Sequence, residues 1–195
     1  FWQQWGKWIS LAVIVVALGY LGYQGWKYYR SHQAEQAALL YAPVETAVTE
    51  GDAGKLVASA KALQDAYPKS GYAARASLLA ARVAFDKGDT KTAEQELLWV
   101  AGNAAEPAVK AVAQLRLAGL QLDAGQTDAA LAELAKPIDA TFLPQQLELK
   151  GDALLVKGDR QGARAAYQEA IAKLAPDAPQ LALLNVKLDA LGGEQ

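Results

Sequence analysis

Cysteine is absent from the chain, and histidine occurs once, as His32. The first absence excludes disulfides and thiolate metal sites, and the second excludes the usual histidine-bearing catalytic triads and zinc sites of common spacing. No glycine-rich loop precedes a helix in the pattern of a phosphate-binding site. We therefore predict no catalytic residue, no metal and no cofactor. An enzyme with an unrecognised carboxylate pair is the alternative, and no pair is marked by its spacing.

A strong excess of one charge is also missing, since 19 Lys and Arg face 21 Asp and Glu. The distribution is uneven: the first 32 residues carry three basic residues and no acid, and the remainder has a net charge of −5. A mildly acidic domain without a basic stripe has no electrostatic reason to bind nucleic acid, so we predict no nucleic-acid partner. Methionine is missing even at the first position, and we expect residues upstream of Phe1.

An uncharged run of 19 residues occupies positions 8–26. As a helix it would measure about 28 Å, close to the roughly 30 Å hydrocarbon thickness of a bilayer. Aromatic residues lie at both ends of the run, and Lys7, Lys27 and Arg30 flank it, as expected at the headgroup level. We predict a membrane anchor over 1–32 that contacts lipid through one transmembrane helix at about 8–26. A buried core helix is the alternative.

Three glycines in the anchor, Gly19, Gly22 and Gly25, are spaced three residues apart. Small residues at this spacing allow close packing of membrane helices, although glycine is also simply common in such helices. The orientation of the anchor is open. Lys27 and Arg30 outnumber Lys7, which would place the following domain in the cytoplasm, but upstream residues could reverse that balance.

Residues 33–195 consist mostly of good helix formers interrupted at regular intervals. The glycines of four similar motifs, at positions 51, 88, 125 and 158, are spaced by about the 34 residues typical of a tetratricopeptide repeat (TPR). We expect each glycine to end one helix in a left-handed conformation. The next helix should be capped by Asp52, Asp89 or Asp159, and by Thr127 in the third unit.

Small residues at fixed distances from these glycines predict close helix crossings within each repeat, at Ala81, Ala118, Gly151, Ala93, Ala130 and Ala163. Larger residues should fill the remaining space at Leu97, Leu134 and Tyr167. Prolines should punctuate the helices: Pro43 kinks a helix or delays its start, Pro68 ends one, and Pro137 stops another near residue 136. A last helix over 178–191 should close the array. The predicted fold class is all-α: one N-terminal transmembrane helix followed by a TPR-like solenoid.

In such a solenoid the first helix of each repeat lines a concave face. The repeat frame predicts a partner-binding groove formed by Arg75, Leu78, Arg82, Phe85, Val112, Leu115 and Leu122. The lysine and asparagine that grip a C-terminal carboxylate are replaced here by Leu78, Leu115 and Glu148. A mixed apolar groove favours a helix or extended segment of another protein. Alternatively, Phe85, Leu122 and Leu155 only pack between repeats.

Three segments together resemble one family: G-W-K-Y-Y-R-S-H-Q at 25–33 after the anchor, Q-L-R-L-A at 114–118, and K-G-D-R-Q-G-A-R-A-A-Y-Q-E-A-I at 157–171. The combination is similar to the YfgM family, the ancillary TPR-domain subunits of the bacterial SecYEG translocon. The likeness covers essentially the whole chain, although no single motif is rare.

The resemblance implies a single-pass protein of the bacterial inner membrane with its C-terminal domain in the periplasm. It also implies association with the SecYEG translocon and with a PpiD-like membrane-anchored chaperone, and a role in handing over translocated proteins. This orientation is opposite to the one that the visible charges favour. A TPR scaffold for cell-envelope assembly or cell division, not bound to the translocon, is the alternative function.

Overall fold

The structure is a computed structural model that describes the backbone of residues 2–192 and the side chains of residues 6, 8, 11 and 13–192. Over this range the chain forms ten α-helices and no strand. Their bounds are α1 Trp2–Leu39, α2 Ala42–Glu50, α3 Ala53–Ala66, α4 Gly71–Asp86, α5 Thr90–Asn103, α6 Pro107–Asp123, α7 Thr127–Leu134, α8 Leu143–Val156, α9 Arg160–Ala172 and α10 Gln180–Ala190. Residues 193–195 of the predicted repeat domain lie outside the described part.

The four predicted repeats are present as the helix pairs α2–α3, α4–α5, α6–α7 and α8–α9. The glycine between the two helices of each pair has a positive φ, of 67°, 80°, 73° and 88° in chain order. This conformation is costly for any residue with a Cβ, which explains why glycine recurs at these four positions. The all-α, TPR-like part of the predicted fold is therefore confirmed.

Three of the four predicted helix caps are also confirmed. The carboxylates of Asp52, Asp89 and Asp159 accept hydrogen bonds from backbone amides in the first turns of α3, α5 and α9. The prediction for Thr127 is wrong. Thr127 is the first residue of α7, and Gln126 at the preceding cap position makes no side-chain hydrogen bond to the helix. The third repeat therefore lacks the side-chain cap that the other three have.

The helix crossings within the repeats are formed by small buried residues, with larger buried residues beside them. The six residues predicted at the helix crossings are all buried, and so are Leu97, Leu134 and Tyr167 beside them. The ring of Tyr167 lies directly against Gly151, where a Cβ would overlap ring atoms. Because alanine and glycine let helix backbones approach closely, these positions have no spare volume.

Prolines act as the sequence predicts. Pro43 lies in the first turn of α2 and so delays the start of that helix rather than kinking it. Helix α3 ends at Ala66, before Pro68, and α7 ends at Leu134, before Pro137. The connector after α7 contains one short 3-10 turn at Ala140–Phe142 before α8 begins. Helix α10 closes the array, within the predicted range.

Helix α1 is one continuous helix of 38 residues, so the predicted domain boundary between residues 32 and 33 lies inside it. Among the side chains of α1 that the structure describes, those that pack against the repeats lie at its C-terminal end. Ala37 of α1, together with Tyr41 just after it, joins the core cluster formed with α2, α3 and α4. By contrast, every residue from Val13 to His32 is exposed.

The structure does not support the transmembrane helix predicted at 8–26. Among the residues whose side chains are described, no helix is long and apolar enough to cross a membrane. Glycine, tyrosine and glutamine make up most of positions 19–25. The side chains of Ile9, Ser10 and Ala12 in the predicted span, and of Lys7 before it, lie outside the described part.

Candidate partner-binding groove

An open groove of about 390 Å³ lies between α4 and α6, with α5 at its base. We refer to it as the α4–α6 groove. Its apolar surface comes from Leu78, Ala81, Phe85, Ala93, Leu97, Gly119 and Leu120, and its charged residues are Arg82, Asp86, Arg116 and Asp123. An apolar base with charged groups around it is the arrangement expected where a segment of another protein binds.

The groove contains three of the seven residues that the sequence predicts for it, namely Leu78, Arg82 and Phe85. The other four lie elsewhere. Arg75 is exposed, and its guanidinium carbon lies 5.7 Å from the ring centroid of Tyr41. Leu115 and Leu122 pack against the core cluster between the third and fourth repeats, and Val112 is half-buried outside the groove lining.

The sequence leaves open whether Phe85 and Leu122 line the groove or pack between repeats, and the structure gives a different answer for each. Leu122 packs between repeats, as the simpler interpretation has it. Phe85 does not, since 44% of its surface is exposed, and it lines the groove. An aromatic ring exposed at the edge of an apolar groove is a common anchor for a protein partner.

Charges alternate along the groove walls. On α4 the Arg82 Nε donates to Asp86 Oδ2 at 2.8 Å, and both side chains are largely exposed. On α6, Arg116 and Asp123 form no ion pair within the part of the chain that the structure describes. The sequence frame identified the α4 wall but missed Asp86, Arg116 and Asp123. The signal available for α6 was the spacing of residues 116, 119 and 123, which places them on one helix face.

A buried polar network ties together the three helices on the N-terminal side of the groove. The Gln64 Nε2 of α3 donates to Ser77 Oγ of α4 at 2.8 Å and to Glu96 Oε2 of α5 at 2.6 Å. Burial is the main cause that raises the pKa of the Glu96 carboxyl, and hydrogen bonds from Ser77 and Gln64 oppose it in part. Buried hydrogen-bonded networks of this kind fix the relative positions of helices.

At the other end of the solenoid, a second polar cluster joins α10 to α8. The Lys187 Nζ lies 2.7 Å from Glu148 Oε1 and 2.8 Å from Asp152 Oδ2, and the Tyr167 hydroxyl donates to Asp152 at 2.6 Å. Burial alone would lower the pKa of Lys187, but hydrogen bonds from its ammonium to the two carboxylates raise it overall. The carboxylates of Glu148 and Asp152 are therefore occupied by the chain's own Lys187.

The glycines predicted to pack in a membrane, Gly19, Gly22 and Gly25, lie on the exposed part of α1. A Cβ added at any of them would meet no heavy atom within 4 Å. The chain's own packing therefore gives no reason for glycine at these positions. No group of three metal-ligating side chains comes together among the residues described.

Comparison with known proteins identifies the family. Residues 1–193 match the tetratricopeptide repeat-like domain family. The ancillary SecYEG translocon subunit of Neisseria gonorrhoeae is 37% identical over 192 residues, which are 98% of this chain and 92% of that protein. The subunit of the same name from Escherichia coli K12 is 36% identical over 135 residues, 69% of this chain and 65% of that one. The Haemophilus influenzae subunit is 31% identical over 69% of this chain and 66% of its own length. The chain therefore belongs to the family of ancillary SecYEG translocon subunits with a tetratricopeptide repeat-like domain.

Proposed function

We propose that this chain works as an ancillary subunit of a SecYEG translocon, by binding other proteins. The observation that carries the proposal is the likeness to relatives of that name along 98% of the chain. The fold agrees with it, because stacked helix pairs present an extended binding surface. The family is one of TPR-like adaptors, so the chain is not an enzyme, as its sequence predicts.

The exposed part of α1 supports attachment to the membrane. The aliphatic side chains of Leu11, Val13, Ile14, Val15, Val16 and Leu18 are each more than half exposed, and they point to all sides of the helix. Water is an unfavourable environment for such a surface. We propose that lipid and membrane-embedded helices of the translocon cover it, with Gly19, Gly22 and Gly25 allowing close approach of a neighbouring helix. The inner membrane follows from the translocon partner.

The repeat domain leaves room for a second partner. Because the α4–α6 groove and the exposed part of α1 are separate surfaces, one chain can bind at both at once. Each contact then raises the effective concentration for the other. We propose a periplasmic location for the repeat domain and a PpiD-like membrane-anchored chaperone as the second partner, to which translocated proteins are handed over.

Purification of the tagged full chain from bacterial membranes in mild detergent tests the translocon proposal. We expect SecY, SecE and SecG to be enriched above a control, an unrelated tagged membrane protein expressed at the same level. Proteins of cell division or envelope assembly, recovered without any SecYEG subunit, would replace the proposal with the scaffold alternative. Loss of SecYEG from a Val16→Asp variant, with the repeat domain still folded, would point to α1 as the attachment surface.

The chaperone contact is tested by a matched pair of groove variants. Phe85→Ser removes an exposed aromatic ring from the α4–α6 groove, and Leu98→Ser removes a similarly exposed apolar side chain of α5 that does not line the groove. We expect Phe85→Ser to reduce recovery of the chaperone and leave that of SecYEG unchanged, and Leu98→Ser to affect neither. Equal recovery of the chaperone by both variants would show that the α4–α6 groove does not bind the chaperone.

Location and insertion are tested by protease and by alkaline extraction. Protease added to spheroplasts should degrade the repeat domain, whereas protection until the cells are lysed would place it in the cytoplasm. Alkaline carbonate strips proteins that lie on the membrane surface but not those inserted into it. Retention of the full chain after carbonate treatment would therefore indicate that α1 inserts, and release would indicate that it lies at the surface.

A further inference from the structure

Gly119 is an unexpected residue for its position in α6. It lies four residues before the end of a 17-residue helix, where glycine is a poor helix former compared with alanine. A Cβ at this position would meet no heavy atom within 4 Å, so packing inside the chain does not require glycine. The open space above Gly119 is part of the α4–α6 groove. The absence of a side chain therefore deepens the groove at the expense of helix stability.

Arg116 and Asp123 flank this space on the same face of α6. Positions 116, 119 and 123 follow the spacing of one helix face and span about 10 Å along the axis. Most other acids at the ends of helices have a basic partner: Glu50 has Lys55, Asp65 has Lys61, Asp86 has Arg82 and Glu133 has Lys136. Asp123 is the last residue of α6 and forms no ion pair in the described part of the chain. It is left available for a cation from outside.

We propose that the α4–α6 groove binds an amphipathic helix of a partner protein that carries an acidic residue, a bulky apolar residue and a basic residue in a row about two turns long. The apolar side chain fills the space above Gly119 beside Phe85. The acidic residue faces Arg116, and the basic residue faces Asp123. Arg116 and Asp123 fix which end of the row lies over which end of α6, so for a given direction of the partner helix one order of its two charges is favoured and the reverse order is opposed. The inference deepens the protein-binding role proposed above and rests on it.

Selection from a library of displayed helical peptides tests the pattern without any assumption about the natural partner. Three positions on one peptide face, spaced to match residues 116, 119 and 123, are randomised, and the purified full chain in detergent is the target. We expect enrichment of peptides that carry an acid and a base on either side of a large apolar residue, with one order of the two charges along the peptide. A double variant, Arg116→Glu with Asp123→Lys, should select the two charges in reverse order. Failure to enrich any peptide, or enrichment without this order, would overturn the proposal.

Gly119→Ala separates a binding role from a structural one. The added methyl group should raise the melting temperature by about 2–4 °C. It should also weaken binding of the selected peptides by about tenfold, because it occupies the space that their apolar residue needs. Gly102→Ala adds the same group to α5 outside the groove and should leave binding unchanged. Asp123→Asn should weaken binding by about threefold, as expected for an exposed ion pair.

Unchanged peptide affinity in Gly119→Ala would show that the space is not a binding site. This outcome is distinct from failure of the translocon proposal, since peptide selection contains no translocon and purification from membranes requires no peptide. If the chain enriches SecYEG but selects no ordered peptide, the proposed function is supported and the groove site is contradicted. If it selects ordered peptides but never enriches SecYEG, the groove site is supported and the translocon proposal is contradicted.

Discussion

Every apolar side chain of α1 from Val13 to Tyr29 is exposed, whereas most of those in the repeat domain are at least partly buried. Val16 of α1 has 71% of its surface exposed, whereas Val44 and Val100 in the repeats are fully buried. The repeat domain therefore supplies its own environment for its apolar residues. Helix α1 does not, and its apolar residues contribute to stability only when another molecule covers them.

The surroundings of the glycines differ between α1 and the repeat domain in the same way. Gly151 in α8 lies against the ring of Tyr167, and its lack of a side chain is required by a close contact within the chain. Gly22 in α1 has open space around it. Packing inside the chain thus requires glycine at position 151. At position 22 we propose that a membrane-embedded neighbouring helix requires it. Identical substitutions in the two regions should therefore have different effects.

The largest difference is expected when a valine is replaced by aspartate. Val100→Asp buries a charge without a partner in the core of the second repeat and should cost more than about 4 kcal/mol, enough to unfold much of the domain. Val16→Asp should leave the thermal midpoint of the domain unchanged and weaken membrane attachment. Circular dichroism melts and flotation with lipid vesicles measure the two effects. A fall in midpoint for Val16→Asp similar to that for Val100→Asp would show that α1 packs on the repeats.

A smaller loss is expected at a helix crossing. Ala163 is completely buried where α8 and α9 meet, and Ala163→Leu forces three additional carbons into a contact without free volume. We expect a loss of about 3 kcal/mol in the free energy of unfolding. Lys91→Ala on the exposed side of α5 is the control and should change it by less than about 0.5 kcal/mol. Equal urea midpoints for the two variants would contradict the repeat frame.

The next largest effect is expected when a glycine is replaced by alanine. Gly151→Ala places a methyl group inside the ring of Tyr167, and that ring cannot move freely because its hydroxyl is hydrogen-bonded to Asp152. We expect the free energy of unfolding to fall by about 2 kcal/mol. Gly22→Ala meets nothing and should leave the thermal midpoint of the repeats unchanged. If Gly151→Ala were as stable as the wild type, the Tyr167 ring would have another position available.

The repeat architecture could be predicted from the sequence because it depends on residues that recur at regular intervals and act locally. Gly51, Gly88, Gly125 and Gly158 identify the turns, and alanines at fixed distances identify the crossings. A cap depends on one residue at one helix start. Helix α7 begins two residues after Gly125, as α3, α5 and α9 begin two residues after their glycines, so the cap position is Gln126 and the prediction for Thr127 failed.

The groove was only half predictable because it depends on how neighbouring helices are aligned. The repeat frame identifies which residues of α4 point inward, and Leu78, Arg82 and Phe85 were found this way. It does not tell whether a leucine on the next helix points into the groove or between repeats, and Leu115 took the second position. The span predicted at 8–26 rested on an uncharged run of suitable length with aromatic and basic residues at its ends, whereas no helix among the described residues is long and apolar enough to cross a membrane.

The smallest expected effect concerns Glu96, a buried carboxyl in the network with Gln64 and Ser77. The pKa of Glu96 is raised above its ordinary value of 4.5, chiefly by burial, while Ser77, Gln64 and the charge of Lys61 oppose the shift. A carboxyl with a raised pKa in the folded state favours folding when protonated. Its contribution is fully present below pH 4.5 and is lost as the pH rises through the higher folded value.

Glu96→Gln removes this titration and keeps an oxygen to accept the hydrogen bond from Gln64. Relative to the variant, the wild type should therefore lose stability as the pH rises above about 4.5, the ordinary value for this carboxyl. Urea midpoints at several pH values measure this difference. A difference between the wild type and Glu96→Gln that does not change with pH would mean that water reaches the carboxylate, and that the network of Gln64, Ser77 and Glu96 is less closed than its short contacts indicate.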